Sequence, residues 1–177
     1  DRQLAGLRQM IRTVGEVGIP VIGYNFSLAG VYGRTHANVA RGGAGGVGMD
    51  GLIDDQPMLD GMVWNMTFDE NATGTAARTR ITHAELWRRL ETFLRAVLPA
   101  AEAAGVRLAA HPDDPPVARL RDTPRLVYQP DLYQRLLDLV PSPANTLEYC
   151  LGTLAEMAGG DIYAATESYA SQQKIAY

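Results

Sequence analysis

Apolar residues recur at three- and four-residue spacing in three stretches of the chain, which is the spacing of one face of an α-helix. The stretches are residues 1–18, 83–104 and 130–140. The second opens with Thr82 and Glu85, the capping-box pattern, and Gly105 follows it as a helix stop. Pro99 lies inside this stretch, so we expect the helix to kink or split there. The pattern therefore predicts three amphipathic helices.

Short strand candidates alternate with these helices, and apolar runs such as Val106 to Ala110 are typical of buried strands. They cover residues 19–26, 106–111 and 145–152, and residues 174–177 begin a further one. Thr153 with Glu156 predicts a short helix after the third run, and Asp161 caps another helix that continues to about residue 173. Alternating helices and strands predict a parallel sheet. About four such strands fit roughly half of a complete barrel of about 250 residues, so we predict an α/β fold, a partial TIM-type (β/α)8 barrel.

Residues 27–81 are the least regular part of the chain, and we expect them to form an insertion or lid, with a possible strand at 61–68. Gly43 to Gly48 matches the G-x-G-x-x-G pattern of dinucleotide sites. No strand leads into it and no helix follows, so a flexible loop is favoured over nucleotide binding. We treat 1–177 as a single domain. Because it begins at Asp1 and ends in an apparently shortened strand, we expect it to be an internal piece of a longer barrel.

Composition and charge narrow the classes of partner. The chain has 177 residues and a net charge of −4, and it contains no run of basic residues. We therefore expect no nucleic-acid partner and no binding to an anionic membrane surface. No apolar run approaches the ~20 residues of a membrane span. The single cysteine excludes an intrachain disulfide and suits a reducing, cytoplasmic location.

Two residues with metal-binding side chains are expected where strands end. His111 closes one predicted strand and Cys150 lies near the end of the next. Because the carboxyl ends of parallel strands converge on one mouth, this pair could share a cation. The simpler alternatives are that Cys150 is a small core residue and that His111 is a hydrogen-bonded core histidine.

Three further residues are candidates for binding a small polar substrate. Asn25 follows the first predicted strand and could bind a hydroxyl. The planar fork of Arg34 suits a carboxylate, although a surface role for it is equally compatible with the sequence. Asp113 could contact substrate hydroxyls or orient His111, whereas Asp114 is as readily a loop-capping residue.

These motifs resemble those of the mannonate dehydratases, in the xylose isomerase-like group of TIM barrels. The matching stretches are Gly-Val-Arg-Leu-Ala-Ala-His-Pro-Asp-Asp-Pro-Pro (105–116), Ser-Pro-Ala-Asn-Thr-Leu-Glu-Tyr-Cys-Leu-Gly-Thr (142–153) and Tyr-Asn-Phe (24–26) with Arg34-Thr35. The resemblance implies a metal-dependent loss of water from D-mannonate, giving 2-keto-3-deoxy-D-gluconate. It also implies that His111 and Cys150 bind the metal, and that the remaining ligands and the acid and base residues lie beyond Tyr177. Glu148 departs from the pattern we expect two residues before the cysteine.

The metal implied by the resemblance is manganese, whereas imidazole and thiolate alone would favour zinc or iron. A cation suits this chemistry because removing a proton next to a carboxylate builds negative charge that it can neutralise. Two alternatives remain. One is a sugar isomerase or epimerase on the same barrel, with Glu148 among the ligands, and the other is a catalytically inactive fragment. We also expect a homo-oligomer, because unpaired sheet edges invite pairing with another chain.

Overall fold

The computed structural model describes residues 2–28, 34–38, 40–49, 81–120 and 123–177. The helices are α1 (Arg2–Glu16), α2 (His83–Ala104), α3 (Leu132–Leu139), α4 (Leu151–Glu156) and α5 (Ile162–Ser171). The strands are β1 (Val21–Tyr24), β2 (Arg34–Ala37), β3 (Gly46–Met49), β4 (Arg107–Ala110), β5 (Arg119–Leu120), β6 (Thr123–Pro124) and β7 (Asn145–Leu147). The predicted strand at 61–68 and most of the predicted lid lie outside the described residues.

The central sheet has the order β1-β4-β7, and both pairings are parallel. Val21 pairs with Arg107 and Leu108 pairs with Asn145, so the three strands run side by side. Each is preceded or followed by a helix, as in one part of a (β/α)8 barrel. The prediction of an α/β fold with a parallel sheet is confirmed, although β1 and β7 are shorter than the apolar runs that predicted them.

The predicted fourth strand runs beside β7. The Leu147 N–H donates to the Lys174 carbonyl at 2.8 Å, and the Ala176 N–H donates to the Leu147 carbonyl at 2.9 Å. Only one parallel bridge forms, between Leu147 and Ile175. The position of this segment was therefore predicted correctly, and its regular pairing is limited to that bridge.

Helix α2 begins and ends where the capping residues predict. The Thr82 Oγ1 accepts the Glu85 N–H at 3.1 Å, and Gly105 ends the helix in the left-handed region at φ 66°. Of the two outcomes expected at Pro99, the split was wrong, because α2 continues through it, and the kink stays a prediction. Among the helices in the described part of the chain, none is long and apolar enough to cross a membrane.

The hydrophobic core lies between the sheet and its covering helices. One buried stripe of α2 packs towards β4; it comprises Leu86, Trp87, Leu90, Leu94, Val97, Leu98 and Ala101. Helix α1 packs closely on α2, since a Cβ added at Gly15 would lie 2.5 Å from the Ala104 carbonyl oxygen. The core therefore covers one face of the sheet and leaves the strand ends to carry polar side chains.

Two short antiparallel hairpins were not predicted: β2 pairs with β3, and β5 pairs with β6. The glycine-rich segment contributes a 3-10 turn at Arg41–Gly43 and then β3. This is not the strand–turn–helix geometry that a dinucleotide fingerprint requires. This segment is therefore a turn followed by a strand, where the sequence favoured a flexible loop.

Candidate metal and substrate site

The two predicted metal ligands lie beyond the carboxyl ends of neighbouring strands. Strand β4 ends at Ala110 and β7 ends at Leu147, so His111 and Cys150 belong to the loops that follow. The prediction that each would lie at a strand end was therefore slightly wrong, by one residue for His111 and by three for Cys150. Backbone bonds continue past both strands, since the His111 N–H donates to the Tyr24 carbonyl at 2.9 Å.

The ring of His111 is held by the next residue along the chain. Its Nδ1 lies 2.7 Å from the Pro112 carbonyl oxygen. A carbonyl can only accept, so Nδ1 carries the proton and Nε2 presents a lone pair in the neutral ring. This is the usual arrangement of a metal-binding histidine, whose other nitrogen donates to a carbonyl or carboxylate.

A buried ion pair anchors the loop after His111. Arg125 is 1% exposed, and its Nε lies 2.9 Å from Asp113 Oδ1. The Asp113 Oδ2 accepts the backbone N–H groups of Leu126 (2.7 Å) and Val127 (2.8 Å). Burial lowers the pKa of the Arg125 guanidinium, while the neighbouring Asp113 opposes that shift. Both charges are thus compensated where water is excluded.

Cys150 occupies the N-cap position of α4, with no side-chain cap of its own. The Thr153 hydroxyl donates to the Cys150 sulfur at 3.2 Å. The predicted capping role of Thr153 is wrong, because it lies inside α4 and its hydroxyl is directed to the sulfur. A hydroxyl donor orients the sulfur, as an outer partner orients a metal ligand.

Glu148 and Tyr177 meet above a glycine of β1. Gly23, Ala109 and Thr146 are neighbours on the three strands, and Glu148 lies two residues beyond Thr146. A Cβ added at Gly23 would overlap both the Glu148 carboxylate and the Tyr177 hydroxyl. Burial, followed by the hydrogen bond to Glu148 and its charge, raises the pKa of Tyr177 to about 12. The absence of a side chain at Gly23 therefore makes room for a carboxylate–phenol pair.

A tyrosine that the sequence analysis overlooked supports this edge of the site. The Tyr133 hydroxyl donates to the Glu148 carbonyl at 3.1 Å, and its ring is wholly buried. Tyr149 stacks on it at 5.9 Å between ring centroids, and Tyr169 meets it edge-on at 5.8 Å. Burial raises the pKa of Tyr133 far above its ordinary value, so the hydroxyl remains a neutral donor. Its position on the buried face of α3 was the only available signal in the sequence.

The three predicted substrate residues have different surroundings. Asn25 follows β1, and its Oδ1 accepts the Ser27 hydroxyl at 2.6 Å. Asp113 is 3% exposed, and both of its oxygens are engaged within the loop, as described above. The group that orients the His111 ring is the Pro112 carbonyl and not the Asp113 carboxylate. The side chain of Arg34 lies outside the described residues, so its role stays a prediction.

The donor types present fit a divalent metal, but they do not complete a site. Imidazole nitrogen and thiolate sulfur are common ligands of transition metals. Within the described ranges, no group of three or more His, Cys, Asp or Glu residues could hold a metal ion. His111 and Cys150 would therefore need additional ligands, and the prediction that they share one cation remains untested.

Comparisons with known proteins agree on one family. The family model described as D-mannonate dehydratase (UxuA) matches residues 1–177. The mannonate dehydratase of Streptococcus equi subsp. zooepidemicus is 32% identical over 184 residues, covering 99% of this chain and 50% of the relative. That of Chromohalobacter salexigens is 47% identical over 85 residues, covering 48% of this chain and 22% of the relative.

The fold has a solved counterpart. The crystal structure of mannonate dehydratase from Streptococcus suis serotype 2 matches with a TM-score of 0.71 and 29% identity, covering 97% of this chain and 46% of that one. The chain thus spans about half the length of the relatives that it matches.

Proposed function

Since this chain belongs to the D-mannonate dehydratase family, we propose that it is part of an enzyme that removes water from D-mannonate, giving 2-keto-3-deoxy-D-gluconate. The observation that carries this proposal is the match of the family model to residues 1–177. The positions of His111 and Cys150, past the carboxyl ends of adjacent parallel strands, support it, because active sites of (β/α)8 barrels are built at that end.

We propose His111 and Cys150 as two ligands of a divalent metal, Mn²⁺ in the first instance and Fe²⁺ or Zn²⁺ as alternatives. The hydrogen bond from Nδ1 of His111 to Pro112 supports this, since it leaves Nε2 as the coordinating atom. The hydroxyl of Thr153 also supports it, since it donates to the Cys150 sulfur and orients that atom. When bound, the cation would stabilise the negative charge that develops on the substrate as its α proton is removed.

The substrate in this proposal is a small sugar acid held near the ends of β1 and β4. The amide nitrogen of Asn25 is the donor that we assign to a substrate hydroxyl, because its oxygen accepts from Ser27. We retain Arg34 as the partner of the substrate carboxylate. We assign no acid or base to the described residues. A homo-oligomer without nucleic-acid or membrane partners, and a cytoplasmic location, belong to the same proposal.

Turnover by the full-length natural protein tests the function. Metal-free protein reloaded with Mn²⁺ should convert D-mannonate to a product lighter by one water, identified by mass and by NMR. His111→Gln and Cys150→Ser should each lower the rate at least about a hundredfold, because a lost ligand costs more than a lost outer partner.

His83→Gln is the matched control, because His83 lies in the first turn of α2, where its Nε2 lies 2.8 Å from the Ala118 carbonyl oxygen and its ring meets that of Tyr128 edge-on. It should leave the rate within about threefold of the unaltered protein, as expected of a partly exposed side chain. Interconversion of a free sugar with no change in D-mannonate would favour an isomerase. Inactivity of the loaded protein towards both substrates would reject the dehydratase proposal.

A further inference from the structure

We propose that Arg125 is a positioning residue for His111: through Asp113 and the amide between residues 112 and 113, it fixes which ring nitrogen of His111 carries the proton. This inference rests on the proposed function only in naming Nε2 as the metal-binding atom. The tautomer itself is a property of the metal-free protein and can be measured separately.

The side chain of Arg125 is a buried cation. Arg125 is 1% exposed, and it is among the largest fully buried side chains of the described residues. Its Nε lies 2.9 Å from Asp113 Oδ1, and its Nη2 donates to the Asp114 carbonyl at 2.8 Å. The planar guanidinium thus holds two successive residues of the loop in a fixed relation to each other, which a flexible ammonium would not do.

Hydrogen bonds to residues 126 and 127 fix the backbone of Asp113. Its N–H donates to the Val127 carbonyl at 2.9 Å, while Val127 and Leu126 donate their N–H groups to its carboxylate. These bonds arrange residues 113 and 127 as reciprocal partners, with Asp113 donating from its backbone and accepting on its side chain. Rotation of the amide at Asp113 would break them and would leave a buried charge uncompensated.

The fixed amide of Asp113 in turn orients the ring of His111. The Asp113 N–H and the Pro112 carbonyl belong to the same planar peptide unit. Fixing the N–H against Val127 therefore also fixes the direction of the Pro112 carbonyl, which lies 2.7 Å from Nδ1 of His111. Because this oxygen can only accept, a proton is held on Nδ1 and the lone pair on Nε2. The free imidazole would otherwise divide the proton between its two nitrogens.

Nitrogen-15 NMR of histidine in the metal-free, full-length natural protein measures this directly. We expect His111 to be almost entirely the Nδ1–H tautomer in the unaltered protein when its ring is neutral. The double variant Arg125→Met with Asp113→Asn removes the cation together with its Asp113 partner, so neither charge of this pair is left buried alone. We expect this variant to fold and to show a mixture of the two tautomers at His111.

Titration with Mn²⁺ supplies a second measurement. The double variant should bind Mn²⁺ about 10–100-fold more weakly, the usual effect of losing an outer partner of a ligand. Arg95→Met is the matched control, because Arg95 is an exposed arginine paired with Glu91 on α2, far along the chain from the loop. It should change neither the tautomer nor the affinity.

A single Nδ1–H tautomer in a folded double variant, as judged by circular dichroism and a cooperative melt, would overturn the proposal. If that variant does not fold, Arg125→Lys replaces it, because a lysine keeps the charge without the planar fork. We then expect a mixture of His111 tautomers and weaker Mn²⁺ binding, both changes being smaller than in the double variant. Their absence would overturn the proposal equally. Failure of the unaltered protein to bind Mn²⁺ would reject the proposed metal site, whereas the tautomer would still decide the role of Arg125.

Discussion

Adding one methyl group at Gly15 should destabilise the protein, although the same change in a helix usually stabilises it. Replacing a helical glycine with alanine ordinarily gains about 0.5–1 kcal/mol. At Gly15, however, the new Cβ would lie 2.5 Å from the Ala104 carbonyl oxygen and 2.9 Å from the Ala104 Cβ. The first of these atoms is backbone, so α1 must move away from α2. Overpacking of this kind costs about 1–3 kcal/mol, which exceeds the gain in helix propensity.

Gly6→Ala is the matched control, because Gly6 lies on the same helix and a Cβ there would meet nothing within 4 Å. We expect Gly6→Ala to raise the free energy of unfolding by about 0.5–1 kcal/mol and Gly15→Ala to lower it by about 1–2 kcal/mol. Urea denaturation followed by circular dichroism measures both. The difference between the two variants, about 1.5–3 kcal/mol, is the packing cost itself, since helix propensity affects both alike. Equal stabilisation by the two substitutions would refute the close approach of α1 to α2.

Two further predictions concern the candidate site. Because Tyr177 is favoured in its neutral form, its stabilising effect should be present below pH ~10 and lost as the pH rises to about 12. Carbon-13 NMR of tyrosine should follow this titration. Glu148→Gln should lower the pKa of Tyr177 without restoring its ordinary value, since burial is the larger cause of the shift. Thr153→Val should weaken Mn²⁺ binding about tenfold, because it removes the hydroxyl donor to Cys150. Thr92→Val, on the exposed face of α2, should leave the affinity unchanged, and equal affinities in the two variants would show that the hydroxyl of Thr153 does not support the sulfur.

The elements that the sequence predicted well are those whose boundaries depend on neighbouring residues. Thr82 and Gly105 specify the two ends of α2 because a cap and a left-handed glycine act within one turn of the helix. Asp161 begins α5 in the same way, accepting the N–H groups of Tyr163 and Ala164. The predicted split of α2 at Pro99 failed because packing against the sheet holds the helix together.

Only part of the candidate site could be predicted, because residues far apart in the sequence build the rest of it. His111 and Cys150 were predicted to be ligands because the carboxyl ends of parallel strands are where a barrel places its ligands. Their exact places in the loops were missed, since an apolar run does not show where regular pairing stops. The engagement of Asp113 with Arg125 was also missed, because a carboxylate in a loop looks the same in the sequence whether it faces a substrate or a buried cation.

The sequence by itself determined the alternation of helices and strands, the caps of α2 and α5, and the residues of the motif at 105–116. These follow from periodicity and from interactions within a few residues, which the order of amino acids contains directly. The tertiary structure decided which distant groups meet: Arg125 with Asp113, Tyr133 with the Glu148 carbonyl, and Tyr177 with Glu148 above Gly23. Such contacts depend on burial, since a polar group removed from water must find its partner wherever the chain brings one.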